Sequence, residues 1–177
     1  MNYPRFLDVE ASSLNINSYP IEVAWSSTDG TIECYLINPQ CVDAWSDWDY
    51  NAQQLHGISR EACIEQGLSP KYLCELMSKS ILPGERIFAD GGGIDEYWID
   101  ELYWAGSALG YAQFQISHSN AVTSDLLTAI ESDNAKRLNL FETLKLEARK
   151  RVGGRHRAAV DVQYLIELYK LCHELSR

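Results

Sequence analysis

Asp8 and Glu10 are separated by one residue in Phe6-Leu7-Asp8-Val9-Glu10, and the stretch from Tyr3 to Val9 is otherwise apolar or aromatic except for Arg5. That composition reads as a strand ending in two acids, and residues two apart on a strand face the same side. Two carboxylates held side by side raise each other's pKa unless a cation lies between them. Oxygen-only ligands select a hard ion, Mg²⁺ or Mn²⁺ rather than zinc. A second chemical group closes the chain's last third, where His156-Arg157-Ala158-Ala159-Val160-Asp161 leads into a periodic apolar segment. Asp161 is placed to hold an ion, and an unligated imidazole at His156 is a candidate general base. Four carboxylates and one histidine, counting Asp95 below, are the equipment for metal-assisted attack of water on a phosphodiester. Taken singly, each has an ordinary alternative. The first two acids would be a strand end facing water, His156 an exposed loop histidine, and Asp161 a first-turn acid favoured by the helix dipole.

The elements that must position these groups follow from periodicity. Val160, Tyr164, Leu165, Leu168, Leu171, Cys172 and Leu175 recur at helical spacing and predict a helix over Ala158–Leu175. Arg86–Ala89 reads as a short strand, Asp90-Gly91-Gly92-Gly93 as a turn, and Ile94–Leu109 as a helix with Ile94, Trp98, Leu102 and Ala105 as its apolar stripe. Asp95 then begins a helix at the mouth of a strand, where open α/β sheets place ligands. The glycines serve either a tight turn or a close approach of a nucleotide; no Gly-Lys-Ser or Gly-Lys-Thr follows, so this is not a phosphate-binding loop of the nucleotide type.

The rest of the chain supplies the scaffold. An antiparallel set is expected over Tyr3–Glu10, Glu22–Ser27 and Thr31–Ile37, with Thr28-Asp29-Gly30 as a hairpin turn. Helices are expected near Ser59–Gln66 and Pro70–Ser80, a strand at Gln113–Ile116, and a largely helical stretch over Ser124–Arg151 capped by Thr123 or Ser124. Trp45, Trp48 and Tyr50 fill a core or stack on bases. No repeat, linker or low-complexity tract interrupts the chain, and one domain over residues 1–177 is expected.

These residues resemble the DEDDh-type 3′-to-5′ exonucleases, the group that includes oligoribonuclease, ribonuclease T and the proofreading subunit of bacterial DNA polymerase. The first motif is Phe6-Leu7-Asp8-Val9-Glu10-Ala11-Ser12-Ser13-Leu14. Ile21-Glu22-Val23-Ala24 resembles the family's second strand, and His56-Gly57-Ile58-Ser59 a segment preceding one of its helices. Asp95 matches the second-motif aspartate, and His156 with Asp161 the third motif, in which histidine marks the h subgroup. The resemblance covers roughly Tyr3 to Leu171. It implies an α/β ribonuclease H-like fold, a mixed central β-sheet flanked by α-helices. It also implies that Asp8, Glu10, Asp95 and Asp161 hold two Mg²⁺ ions, replaceable by Mn²⁺ and about 3.5–4 Å apart. His156 would be the general base. Leu14, otherwise a core leucine, would pack on the terminal base, and Ala11, Ser12 and Ser13 would contact the terminal nucleotide. The implied activity is 3′-to-5′ hydrolysis of single-stranded RNA or short oligonucleotides, with RNA favoured over DNA, to nucleoside 5′-monophosphates. Family members are often homodimers. The alternative is an inactive binding module of the same fold, whose mark would be loss of a carboxylate or of the histidine. The second motif departs from the family pattern: Ile94 stands where an aromatic is usual, an asparagine is missing, and Asp90 rivals Asp95 as the metal ligand.

Composition bounds these expectations. The 177 residues are 46% hydrophobic and no apolar run is long enough to span a membrane. No charged-then-apolar leader is read at the N-terminus. Five cysteines without a close pair suit neither a disulfide framework nor a zinc site, so a cytoplasmic setting is expected. The net charge of −10 opposes phosphate binding. Against it, bound ions offset part of the charge, and Lys145, Arg149, Lys150, Arg151, Arg155 and Arg157 gather just around His156. That run is either a solvated helix end or a guide for phosphates, with Arg155 as a candidate substrate contact. The weak overall field favours short or single strands over long duplexes.

Overall fold

In the computed structural model, which describes residues 2–154 and 156–176, the acid-bearing strand β1 (Leu7–Ala11) lies between two others. It pairs antiparallel with β2 (Pro20–Ser26), which pairs antiparallel with β3 (Ile32–Leu36). On its other side a bridge joins Phe6 to Phe88 of β4 (Arg86–Ala89), with Phe88 N–H donating to Arg5 O at 2.9 Å. β4 in turn pairs parallel with β5 (Gln115–His118). The spatial order β3-β2-β1-β4-β5 is a small mixed sheet made of an antiparallel set and a parallel pair.

Helices cover both faces. α1 (Tyr50–His56), α2 (Arg60–Gln66), α3 (Pro70–Ser80) and α4 (Gly93–Gly106) precede β5; α5 (Asn120–Ile130), α6 (Asn134–Val152) and α7 (Ala158–Leu175) follow it. The alternation of β1 separates two cores. Leu7, Val9 and Ala11 enter a cluster with Ile21, Val23, Trp25, Met77, Trp98 and Leu102. On the opposite face Phe6 and Ala24 pack with Ala148, Val162, Leu165 and Leu168 from α6 and α7. Asp8 and Glu10 take the alternate positions of β1, so the period of two separates its acids from its core residues. β2 is buried along its entire length, which is why its residues run apolar without alternation save for Glu22 and Ser26.

Glu22 fastens the two faces of the site. It is 1% exposed, lies opposite Glu10 in the β1–β2 register, and reaches the start of α7. Its Oε2 accepts Ala158 N–H at 3.0 Å and Arg157 Nε–H at 3.0 Å, while Arg157 Nη2 donates to its Oε1. Arg157, the N-cap of α7, offers no side-chain cap of its own, so a strand carboxylate does that work.

Several expectations needed correction. The long helix expected over Ser124–Arg151 is two helices beginning earlier, at Asn120, and broken after Ile130. Asp133 caps α6 by accepting Lys136 N–H at 2.9 Å, and Glu131 accepts Asp133 N–H at 2.9 Å. These local bonds compete with helix continuation. Ser119, not Thr123 or Ser124, is the N-cap of α5, and without a side-chain bond. α4 stops at Gly106, where a Cβ would come within 2.4 Å of the Pro70 backbone, the close approach that lets α3 and α4 pack. Ile94 is exposed and outside the α4 stripe, whose buried members are Trp98, Ile99, Leu102 and Tyr103. β5 lies two residues later than expected. Trp45 belongs to the core, stacked on Tyr19 with centroids 5.2 Å apart, and Trp48 Nε1 donates to Gln53 at 2.9 Å. Tyr50 stays exposed. No helix among the described residues is long and apolar enough to cross a membrane.

Arg157→Met is expected to cost about 3 kcal/mol in urea unfolding, because it leaves a buried carboxylate without its main partner. The double variant Glu22→Gln/Arg157→Met should recover most of that loss. Additive losses would show that the two residues are not coupled.

Candidate active site

A cavity of about 330 Å³ opens where β1, the start of α4 and the start of α7 meet, lined among others by Asp8, Glu10, Asp90, Asp95, Arg149, His156 and Asp161. Asp8 and Glu10 arrive from one face of β1, and Asp161 from the first turn of α7. One carboxylate oxygen from each of these three lies within 4.8 Å of the others, a donor set suited to a hard divalent cation.

Asp95 comes from the first turn of α4, at the mouth of β4, and is 3% exposed. Its Oδ2 has no hydrogen-bond partner among the described residues although it is buried. The glycine turn makes room for it. A Cβ on Gly91 would lie 2.6 Å from Asp95 Oδ2, and Gly92 adopts φ +58°, a conformation that side chains rarely take. The run is therefore a turn with a close approach to a carboxylate. Asp90 lines the same cavity, with its Oδ1 accepting the Ser119 hydroxyl at 2.9 Å.

His156 sits on the bend between α6 and α7, exposed and lining the cavity. Arg149 also enters it, through an ion pair to Asp161. Its neighbours in the basic run are engaged elsewhere: Lys145 with Glu142 at 3.2 Å, Arg151 with Glu147 and Glu167 at 2.9 Å, and Arg157 with Glu22. Arg155 lies outside the described residues.

A second cavity of about 320 Å³ adjoins the first and shares Val9, Glu10, Leu14 and Trp98 with it. Ala11 and Ser13 line it too, with Leu55 and His56. Leu14 is 83% exposed, so it is no core leucine. Ser12 is not brought to either cavity: its hydroxyl accepts Tyr19 N–H at 3.1 Å and it shapes the loop. Ser13 donates to Asp47 and accepts Asn15 N–H at 3.0 Å. Sequence reasoning gave no site role to Tyr164 and Trp98, which line the first cavity, or to His56, whose buried Nε2 is unpartnered beside the second. The signal for His56 was the His56-Gly57-Ile58-Ser59 segment; the two aromatics were hidden in helical stripes.

Electrostatics follow from the crowding. Burial pushes Asp8 well above the usual carboxylate range, helped by the charges of Asp95, Asp161 and Glu10. Burial, then Asp161 and Glu22, push Glu10 up to about 7. Burial also pushes Asp95 to about 7, against the backbone of Gly91 and Val9 and with help from Asp90. The positive charge near them, Arg149 for Asp8 and Arg157 for Glu10, does not offset this crowding, and the Asp95 oxygen without a partner among the described residues points to the same need. The residues present fit divalent cations.

No protein-family model matches the chain, and no curated protein matches it by sequence. Solved structures do match by fold. E. coli Exonuclease I in complex with a dA16 oligonucleotide aligns at TM-score 0.65 and 15% identity, over 98% of this chain and 42% of that one. The zinc-ion-bound E. coli Exonuclease I–ssDNA complex aligns at 0.64 and 15%, over 94% and 39%. Exonuclease I from Methylocaldum szegediense aligns at 0.60 and 16%, over 94% and 40%. At such identities the likeness establishes a shared fold, the mixed α/β fold of these exonucleases. The chain spans about two fifths of the length of the Exonuclease I chains it matches.

The raised carboxylates carry a stability consequence. Asp8, Glu10 and Asp95 bind protons to higher pH when folded than when unfolded, so stability is lost as pH rises from the ordinary values near 4 through about 7. In chelator, the melting temperature should fall between about pH 5 and about pH 8, and added Mg²⁺ should restore more of it at the upper end. A melting temperature that stays level in chelator over this range would contradict the crowding.

Proposed function

We propose that this chain is a metal-dependent 3′-to-5′ exonuclease of the DEDDh type, with a ribonuclease H-like fold, that releases nucleoside 5′-monophosphates from single-stranded nucleic acid. The observation that carries this reading is the convergence of Asp8, Glu10 and Asp161 within 4.8 Å, with Asp95 and His156 lining the same cavity. The fold likeness to Exonuclease I supports it.

Asp8, Glu10, Asp95 and Asp161 would hold the cations, Mg²⁺ in the first instance. Bound divalent ions supply Lewis acidity that makes water acidic and offsets the charge developing on the departing oxygen. His156, free of metal and exposed at the cavity rim, takes the proton from the attacking water. The water oxygen bonds to phosphorus, the P–O3′ bond breaks, and the leaving 3′ oxygen is protonated from solvent. Leu14, Ala11 and Ser13 border the adjoining cavity and receive the terminal nucleoside there, with Trp98 as a shared wall. A net charge of −10 leaves little long-range attraction for phosphates, which favours short single strands. RNA is the strand the family resemblance favours, and DNA is the strand in the Exonuclease I complexes.

The direct test is cleavage of matched 5′-labelled single-stranded RNA and DNA with Mg²⁺ or EDTA, with Asp161→Ala as control. A metal-dependent ladder shortening from the 3′ end, absent from the variant, is expected, and the RNA-to-DNA rate ratio names the substrate class. No shortening of either strand would turn the reading to a binding module.

Three substitutions separate the roles. His156→Ala should slow cleavage roughly 10²–10⁴-fold while Mn²⁺ affinity persists; loss of Mn²⁺ binding in a titration would make it a ligand instead. Asp95→Asn should be inactive and Asp90→Asn largely active, and the reverse pattern would exchange their roles.

A further inference from the structure

One lysine or arginine, among the described residues, lines the acidic cavity: Arg149, in the last turn of α6. Its guanidinium lies over the ring of Tyr164, with Cζ 3.7 Å from the ring centroid, and its Nη1 donates to Asp161 Oδ1. Tyr164 follows Asp161 by three residues on α7, so one helix face carries both the carboxylate that neutralises the guanidinium and the ring that supports it. Lys145, Arg151 and Arg157 have carboxylate partners elsewhere. Lys150 is exposed and outside the cavity lining.

We propose that Arg149 is an exchangeable counter-ion, bound to Asp161 in the metal-free chain and handed to a substrate phosphate when divalent cations load the site. The proposal rests on the nuclease reading above. A cation and a guanidinium compete for the Asp161 carboxylate, because two positive charges sharing one carboxylate repel each other. The contact to Asp161 therefore weakens as the site fills. Tyr164 keeps the released guanidinium at the cavity, where its planar fork of donors suits the non-bridging oxygens of a phosphate. In a chain of net charge −10, this is a cation already standing where a phosphate must arrive.

The two halves of the proposal predict effects of opposite sign, which a merely structural role would not produce. Arg149→Met keeps an apolar stem over Tyr164 and removes the charge. It should bind Mn²⁺ at least roughly fivefold more tightly than the parent chain, by calorimetry or by electron paramagnetic resonance of free Mn²⁺. Oligonucleotide binding is measured in a His156→Ala background, in which cleavage is slow, over a series of salt concentrations. There Arg149→Met should bind more weakly, with a log–log salt slope shallower by about 0.7, the share of one phosphate contact on a single strand. Arg149→Lys should keep the parent slope, because it keeps the charge. If the parent chain binds Mn²⁺ but Arg149→Met binds it no more tightly, or if the salt slope does not change, the proposal is wrong and the nuclease reading stands. If the parent chain binds no Mn²⁺, the nuclease reading falls and the proposal falls with it.

Discussion

Half-buried carboxylates on β1 set the terms for the rest of the molecule. Asp8 and Glu10 share one face of a strand, and the fold brings Asp161 to them from α7 and Asp95 to the same cavity from α4. Burial and mutual charge raise three of the four, so the apo site is a place where the chain stores repulsion rather than stability. Such a cluster is tolerable when a cation completes it, as proposed above, and the surrounding sequence makes room for the acids. Gly91 lacks a side chain because one would collide with Asp95, and Gly92 takes a positive φ to make the turn. Arg149 supplies the positive charge that the chain itself can offer.

The scaffold explains how such a site is held open. β2, buried on both faces, is the rigid centre against which β1 and α7 are set. Its one acid, Glu22, ties strand to helix by capping α7 and pairing with Arg157, and so fixes the turn that carries Asp161. His156 stands immediately before that cap, exposed at the cavity rim, as the proposed general base would have to be. The rigid part of the site is thus its carboxylates, and the exposed part is its histidine and the leucine at the rim.

How much of this was legible in the sequence depended on whether the signal was local. The alternation of β1, the apolar periodicity of α7 and the glycine turn after β4 are local patterns, and the elements formed where those patterns lie. The four carboxylates and the histidine could be named because their order resembles that of a known family. What could not be read was set by tertiary contact. One exception is the break between α5 and α6, a local matter of the Asp133 cap outcompeting helix continuation. The fate of Trp45 was decided by Tyr19, far from it in sequence. Glu22 looked like an ordinary member of a second strand, and its partner lies at the far end of the chain. The basic run looked like one patch, yet among its described members Lys145, Arg151 and Arg157 turn to acidic partners elsewhere and Arg149 enters the cavity. Leu14 divided evenly between core and rim by sequence, because a leucine after a turn looks the same either way until the loop's exposure is known.

The central claim is that Asp8, Glu10, Asp95 and Asp161 together hold divalent cations. A crystal structure of the chain grown with Mn²⁺, with data collected at the manganese edge, tests it most directly. Anomalous density enclosed by these four carboxylates, with His156 outside the coordination sphere, is the expected result. Anomalous density elsewhere on the surface, or bound to Asp90 in place of Asp95, would contradict it.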